Sequence, residues 1–288
     1  MYSHIKKKPQ LFKRISWVTP ETFGLLVTYV SSQTDDTWKK SQGKDTRGRN
    51  NSLCTEDQIL LCLMYLRSYT TYLFLGSIFH VSEATAFRMS RKIETLLIRS
   101  GLFSLPKRTI LQTELETIIV DATESSIERP KKKQKLHYSG KKKRHTTKTQ
   151  IAQDKQGRIL RTHFAQGRVH DKKLYDRSKL RINKKTKKRY DLWYKWVEHE
   201  EENVILPHKA SKLHPLTKQQ KQENRENARS RIPIEHSNRR IKVWRIFSST
   251  YRNRRKRFWL RMNLVCGILN HEKWFKTPLA IQMTSAII

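Results

Sequence analysis

The stretch that most constrains the fold is Thr117-Ile118-Ile119-Val120-Asp121-Ala122-Thr123-Glu124. Its β-branched apolar run predicts a strand buried on both faces. A carboxylate follows at once, where the strand is expected to run out. Leaving a carboxylate unpaired in a core is costly, or shifts its pKa. An Asp at such a strand end is therefore a cation ligand or catalytic acid in one reading, and a turn or N-cap residue in the other. The rest of the chain has to choose between them.

The charge balance narrows the partners. Lys and Arg number 61 against 25 Asp and Glu, a net charge of +36. Such a surface calls for a polyanion, held through phosphate contacts and counterion release. An anionic membrane is the competitor, yet no apolar run approaches the roughly 20 residues of a span, and the first residues lack the apolar segment of a signal peptide. Three scattered cysteines, Cys54, Cys62 and Cys266, give neither a disulfide framework nor a zinc site. A reducing cytoplasm is the expected compartment.

Residues 17–100 read as helical. Thr19-Pro20-Glu21 is a helix start, followed by an apolar face of Phe23, Leu26, Val27 and Val30. The polar run 31–53 reads as a loop. Thr55-Glu56-Asp57 is expected to cap a second helix, with Ile59, Cys62, Leu63 and Leu66 facing inward. Two helices then flank a tight turn at 71–99. On the second, opening at Ser82, Ala86, Met89, Ile93 and Leu97 form the buried stripe and Thr85, Arg88, Arg91 and Lys92 are left on other faces. This is what a helix-turn-helix requires, although an ordinary helical hairpin with a basic face has the same spacing. Leu105–Arg108 reads as a linker.

After the buried strand, residues 129–148 carry ten Lys and Arg and no acid, including Lys131, Lys132, Lys133, Lys141, Lys142, Lys143 and Arg144. Such a run is disordered or bound to phosphate. Two further strands are expected around a hairpin turn at Asp154–Gly157, and Asp171 is placed as the cap of the next helix. A short strand ending at Arg189-Tyr190-Asp191 follows. A polar helix from Thr217 is expected to end near Ser230, and a new one to start at Pro233. On the latter, Glu235, Arg239 and Lys242 share a face; a surface Glu–Arg pair would look the same. A last apolar helix, Phe258–Leu269, is expected to pack onto this domain.

Together these residues resemble a family. Asp121 after a buried strand, an Asp far downstream, and Arg231, Glu235 and Lys242 spaced as Arg-x3-Glu-x6-Lys look like a bacterial insertion-sequence DDE transposase. The group is the one with a Tyr-Arg-Glu-Lys signature and an N-terminal helix-turn-helix. The likeness spans about residues 55–270 and includes Asp121-Ala122-Thr123-Glu124, Tyr138-Ser139-Gly140-Lys141 and Gly167-Arg168-x-His170-Asp171. It implies an all-α helix-turn-helix domain at 1–104, a ribonuclease H-like α/β catalytic domain at 109–275 (a mixed sheet flanked by helices), and a tail at 276–288. It further implies that Asp121, Asp191 and Glu235 hold divalent metal, two Mg2+ or Mn2+ ions, for cleaving and joining DNA. Hard cations take oxygen ligands, hence carboxylates. One ion would acidify attacking water and the other stabilise the leaving 3′ oxygen.

The resemblance also assigns Arg88, Arg91, Lys92, the basic residues of 129–148, Arg231, Arg239 and Lys242 to double-stranded DNA, at transposon ends and target. It implies a homodimer or higher oligomer on those ends, in a bacterial cytoplasm beside the nucleoid, and no membrane.

Two places depart from the family pattern. Its Tyr falls at Ala228, and its Asp-x-Gly-Tyr-x-Gly stands here as Asp191-Leu192-Trp193-Tyr194-Lys195-Trp196. A Trp where the backbone needs glycine is strained, so one rival reading is an impaired relative that only binds DNA. A second rival is an RNA-binding protein of the ribosomal kind, which accounts for the charge but has no use for Asp121 and Glu235.

Overall fold

The computed structural model describes residues 1–34, 53–211 and 215–274. Most of the loop expected at 31–53 and the whole tail at 276–288 lie outside them. The elements run α1 (Tyr2–Ile5), α2 (Pro9–Ser16), α3 (Pro20–Thr34), α4 (Thr55–Ser68), α5 (Tyr72–Phe79), α6 (Glu83–Arg99), β1 (Thr117–Ser126), α7 (Gln134–His137), β2 (Tyr138–Ser139), β3 (Arg144–Asp154), β4 (Ile159–Gln166), α8 (Asp171–Ser178), β5 (Lys187–Arg189), β6 (Val204–Ile205), α9 (Lys218–Val243), α10 (Arg245–Ser248) and α11 (Lys256–Trp274). They divide into two compact units. One comprises Met1–Ser104, Val243–Ile246 and the chain from Arg255 on; the other comprises Leu105–Lys242 and Phe247–Arg254.

In the helical unit α4 is the central element. Ile59, Leu60, Leu61, Cys62 and Leu63 are all fully buried, so the helix is covered on every side rather than on the one face its pattern suggested. Its N-cap is Cys54, which makes no side-chain cap bond. The run Thr55-Glu56-Asp57, expected to cap it, forms its first turn, and Asp57 accepts a hydrogen bond from the Tyr2 amide at 2.7 Å. The hairpin forms as its sequence predicts. Thr71 caps α5 by accepting from Phe74 N at 3.2 Å, and Ser82 caps α6 by accepting from Thr85 N at 3.2 Å. His80 turns the chain at φ 54°. Gly76 lets the turn close, because a Cβ there would stand 2.5 Å from the Val81 carbonyl oxygen.

The expected stripe of Ala86, Met89, Ile93 and Leu97 is buried, and within it lies Glu94. The Glu94 carboxylate accepts from Arg257 Nη1 at 2.7 Å, and from Arg261 Nη2 at 2.8 Å and Nε at 3.1 Å. These bonds tie α11 to α6. The C-terminal helix therefore belongs with the helical unit and not, as expected, with the domain drawn at 109–275. Gly267 supports the same packing, since a Cβ would meet the Phe103 carbonyl oxygen at 1.7 Å.

The second unit is built on a six-stranded mixed sheet. β1 pairs antiparallel with β3 over Ile118–Ser126, and β3 pairs antiparallel with β4 and, near its start, with β2. On its other edge β1 pairs parallel with β5, through Thr117, Ile118 and Ile119, and β5 pairs parallel with β6. Helices flank the sheet, giving the ribonuclease H-like α/β architecture. The hairpin turn at Asp154–Gly157 is in place: Asp154 Oδ1 accepts from Arg158 N at 2.7 Å and Gly157 sits at φ 78°. Ile118, Val120, Ala152, Leu160, Tyr190 and Tyr194 form the core on one face.

Three expectations are corrected here. β1 does not stop at Asp121 but continues to Ser126, because β3 still supplies hydrogen bonds to that edge. The two helices expected to meet near Ser230 are one, α9, with Pro233 inside it. Proline removes one hydrogen bond and crowds the carbonyl one turn back. That carbonyl belongs to Arg229, an exposed residue, whereas Asn227, Ile234, Ser237 and Ile241 hold the opposite face in the core. Finally, neither Trp193 nor Trp196 has positive φ. They sit in a 3-10 segment, Leu192–His199, interrupted at Tyr194 (φ −98°, ψ 19°). Nothing there requires glycine.

Two stability measurements follow. Glu94→Ala strands two guanidinium groups, one of them fully buried, and is expected to cost about 3–5 kcal/mol in denaturant unfolding; replacing Glu94 and Arg261 together by apolar residues should recover much of that. Trp196 packs on Tyr175 and Tyr194, with ring centroids 5.2 and 5.9 Å away, so Trp196→Gly should cost roughly 3 kcal/mol. Trp193→Gly, at an exposed site, should cost about 1 kcal/mol or less.

Candidate active site

The sheet opens its own cleft. Up to Ile119 both edges of β1 are paired, but the pairing with β5 ends there while that with β3 continues. Past Ile119 the side toward β5 is free until Ser126, which accepts from Tyr251 N. Asp121 lies two residues beyond Ile119 on β1, and Asp191 two residues beyond the end of β5. Parallel neighbours whose pairing ends at Ile119 and Arg189 thus deliver two carboxylates just beyond that point. Asp191 also caps the 3-10 segment, its Oδ1 accepting from Leu192 N at 2.6 Å.

Helix α9 supplies the third wall. At about 100° per residue, Arg231, Glu235, Asn238 and Lys242 fall within one narrow face. Arg231 places Nη2 at 3.7 Å from Asp121 Oδ1 and Nη1 at 3.4 Å from Asp191 Oδ1, so one guanidinium spans both acids. Asn238 donates Nδ2 to Asp121 Oδ2 at 2.8 Å. Its own Oδ1 is buried without a partner. Burial pushes the Asp121 carboxyl above its usual range, and the Arg231 charge offsets part of that rise. The Tyr194 hydroxyl is buried and unpartnered, and its pKa is driven up by burial and then by the charges of Asp171, Asp121 and Asp191.

Glu235 stands between Arg231 and Asn238 on that helix face but is itself exposed. Among the described residues no three carboxylate, histidine or cysteine side chains are gathered as a metal site. The donor set nevertheless suits a hard divalent ion. Asp121 and Asp191 already share a cation, and the free Asn238 oxygen adds a further hard donor beside Asp121.

Asp121 lines a cleft of about 520 Å³ whose walls also include Glu124, Lys141, Lys142, Lys148, Arg168, Asn238 and Lys242. Burial lowers the Lys242 pKa, and Lys142 adds to this, while Asp121 and Glu124 act against it. Lys148 is held by Asp171 at 2.8 Å and Glu124 at 4.0 Å. Asp171 therefore pairs across the cleft; the cap of α8 is His170, whose Nδ1 accepts from Lys172 N at 3.3 Å. Lys141, Lys142, Lys143 and Arg144 are exposed, as are Lys131, Lys132 and Lys133, and the last three lie outside the cleft wall. Arg239 is exposed and does not line it.

In the helical unit Arg88 and Lys92 are exposed on α6. Arg91 is half-buried, with its guanidinium 5.8 Å from the Phe87 ring centroid. Burial, and then the Arg257 charge, lower its pKa.

Sequence reasoning passed over Asn238 and Glu124, and it placed Lys148 in the basic run assigned to DNA rather than against Glu124 and Asp171. Asn238 had a signal, since it stands two turns after Arg231. Glu124 and Lys148 had none until β1 and β3 were paired, where they lie directly opposite each other.

Comparison with known proteins identifies the family. The family model described as the helix-turn-helix of DDE superfamily endonuclease matches residues 51–103, and that described as DDE superfamily endonuclease matches residues 120–270. A probable transposase for insertion sequence element IS702 from Microchaete diplosiphon is 40% identical over 276 residues, covering 93% of this chain and 98% of its own length. A carboxylate pair where two parallel strands stop pairing, a helix-turn-helix ahead of it, and a relative alike along nearly the whole chain place this protein in the insertion-sequence transposases of the DDE superfamily, metal-dependent endonucleases that act on DNA.

Proposed function

We propose that this chain binds the terminal inverted repeats of its own insertion sequence and cuts and joins DNA strands at the cleft around Asp121. Asp121, Asp191 and Glu235 are the residues assigned to the metal, as Mg2+ or Mn2+ and as a pair of ions. The observation that carries this reading is the Arg231 guanidinium between Asp121 and Asp191. Two carboxylates spanned by one cation are a site whose charge suits a divalent ion. When bound, such an ion acidifies the attacking water and offsets charge on the leaving 3′ oxygen.

The chain's own residues divide the remaining tasks. Asn238 orients Asp121 by its hydrogen bond, so one carboxylate oxygen keeps a fixed direction. Arg231 serves both acids while no other cation does; with the acids engaged, its guanidinium is available to a phosphate, for which its planar fork is suited. Lys242, Lys141, Lys142 and Arg168 line the approach and neutralise the backbone of the entering strand. Lys148 stays fixed between Glu124 and Asp171 and keeps the floor of the cleft from being purely acidic. Arg88 and Lys92, with Arg91 behind them, are assigned to the terminal DNA on the face of α6. Lys131, Lys132, Lys133, Lys143, Arg144 and Arg239 are assigned to flanking or target DNA. The working form on transposon ends is a homodimer or larger, in the cytoplasm.

Cleavage of end-containing DNA with Mg2+ tests the site. Asp121→Asn, Asp191→Asn and Glu235→Gln should each lower the rate by at least about a hundredfold, with DNA affinity nearly unchanged on a surface of net charge +36. If parent and variants all bind the ends and none cuts, the chain is a DNA-binding relative only. If Glu235→Gln alone cuts normally, the exposed Glu235 is not a ligand. For the helix-turn-helix, neutralising Arg88, Arg91 and Lys92 together should reduce discrimination between terminal repeat and random DNA, each lost base contact costing about 1–3 kcal/mol. A variant that loses affinity on all DNA alike would mean that these residues touch phosphates only.

A further inference from the structure

Trp193 is 69% exposed, more than any other large apolar side chain among the described residues. Its position is not accidental to the backbone. Trp196, three residues on, packs among Tyr175 and Tyr194, and Tyr194 itself is in the core. The 3-10 segment is thus anchored by Tyr194 and Trp196 and holds Trp193 outward, two residues past Asp191. Lys141 Nζ stands 5.9 Å from its ring centroid, and Lys141 also lines the cleft that contains Asp121. The indole is left largely to solvent with a cation over its ring, two residues along the chain from Asp191.

An exposed indole presents a large apolar surface with a negative π-face, and a free nucleobase is the partner that matches it in shape and polarisability. Paired bases in a duplex already stack on their neighbours and offer no open face. We propose that Trp193 and Lys141 form a binding site for one unpaired nucleobase and its phosphate on the strand leading into the cleft, Trp193 stacking on the base and Lys141 neutralising the phosphate. The place of this site in cleavage rests on the reading of Asp121 and Asp191 as the reaction centre; the binding itself does not. Stacking is tolerant of base identity, so the site favours opened or frayed DNA over paired DNA at the point of cutting, without reading sequence. Unstacking costs least where a base is already unpaired, which makes a duplex with a single-stranded end the natural ligand.

Affinity of the full chain, measured by fluorescence anisotropy in EDTA so that no cleavage occurs, tests the site directly. The probes are a duplex with a short thymine overhang, the same duplex with abasic nucleotides in the overhang, and the blunt duplex. The parent should bind the thymine overhang about tenfold more tightly than the abasic one. Trp193→Ala should abolish that preference, and Trp193→Phe should keep part of it. Neither variant should change affinity for the blunt duplex, which also checks that both are folded. Lys141→Ala should weaken binding to both overhangs alike. No thymine preference in the parent, or an undiminished preference in Trp193→Ala, overturns the proposal. A base preference that survives while Asp191→Asn cuts like the parent would leave the site standing and overturn the assignment of the reaction centre.

Discussion

The site depends on where two parallel strands stop pairing. β1 is paired with β5 through Ile119, where β5 ends at Arg189, and that edge is not bonded again until Ser126, which accepts from Tyr251 N. Between those two points the backbone has one satisfied edge and one open one, and the open edge is where polar side chains can reach solvent and each other. Ile118, Ile119 and Val120 are fully buried just before it, so the strand cannot slide by a residue without moving Asp121 to the opposite face. Burial of three β-branched residues thus determines the position of a carboxylate.

Helix α9 answers that geometry. Ile234 and Ile241 are buried and Asn227 and Ser237 sit with them, which fixes the rotation of the helix about its axis. Once that rotation is set, Arg231 and Asn238 must face Asp121, and Lys242 must reach the cleft. A continuous helix through Pro233 carries this better than two helices would. A break near Ser230 would let Arg231 move independently of Asn238, and the two contacts on Asp121 would no longer be coupled. The lost hydrogen bond at Pro233 falls at an exposed turn, where water can replace it.

Charge is handled differently in the two units. In the helical unit, Glu94 is fully buried with Arg261 and also bound to Arg257, a network whose members are satisfied by one another and which joins residues far apart in the chain. Around Asp121, polar groups stand only partly satisfied: the Asn238 oxygen and the Tyr194 hydroxyl are buried without partners, and burial raises the pKa of Asp121. A satisfied network specifies packing, whereas an unsatisfied one is open to a ligand.

Much of this was legible from residue order. The β-branched run named the central strand, the Asp–Gly turn named the hairpin, Ser82 and its apolar stripe named the second helix of the helix-turn-helix, and the net charge named a polyanion. These are local signals, set by side-chain shape and by spacing along one element. The motif spacing of Arg231, Glu235 and Lys242 also named the family. What the order of residues could not decide was anything that depends on which elements lie side by side. The cross-strand meeting of Glu124 and Lys148, the bond from Asn238 to Asp121, and the attachment of α11 to α6 through Glu94 all join residues distant in sequence. The two Trp residues show the same limit. Glycine seemed required at 193 and 196 only while the backbone was unknown; the tertiary structure gives both ordinary negative φ, turns Trp196 against the core and leaves Trp193 in the open. Sequence determined the chemistry available to the chain. Tertiary structure decided which groups share a cleft, because burial and strand pairing act between elements, not along them.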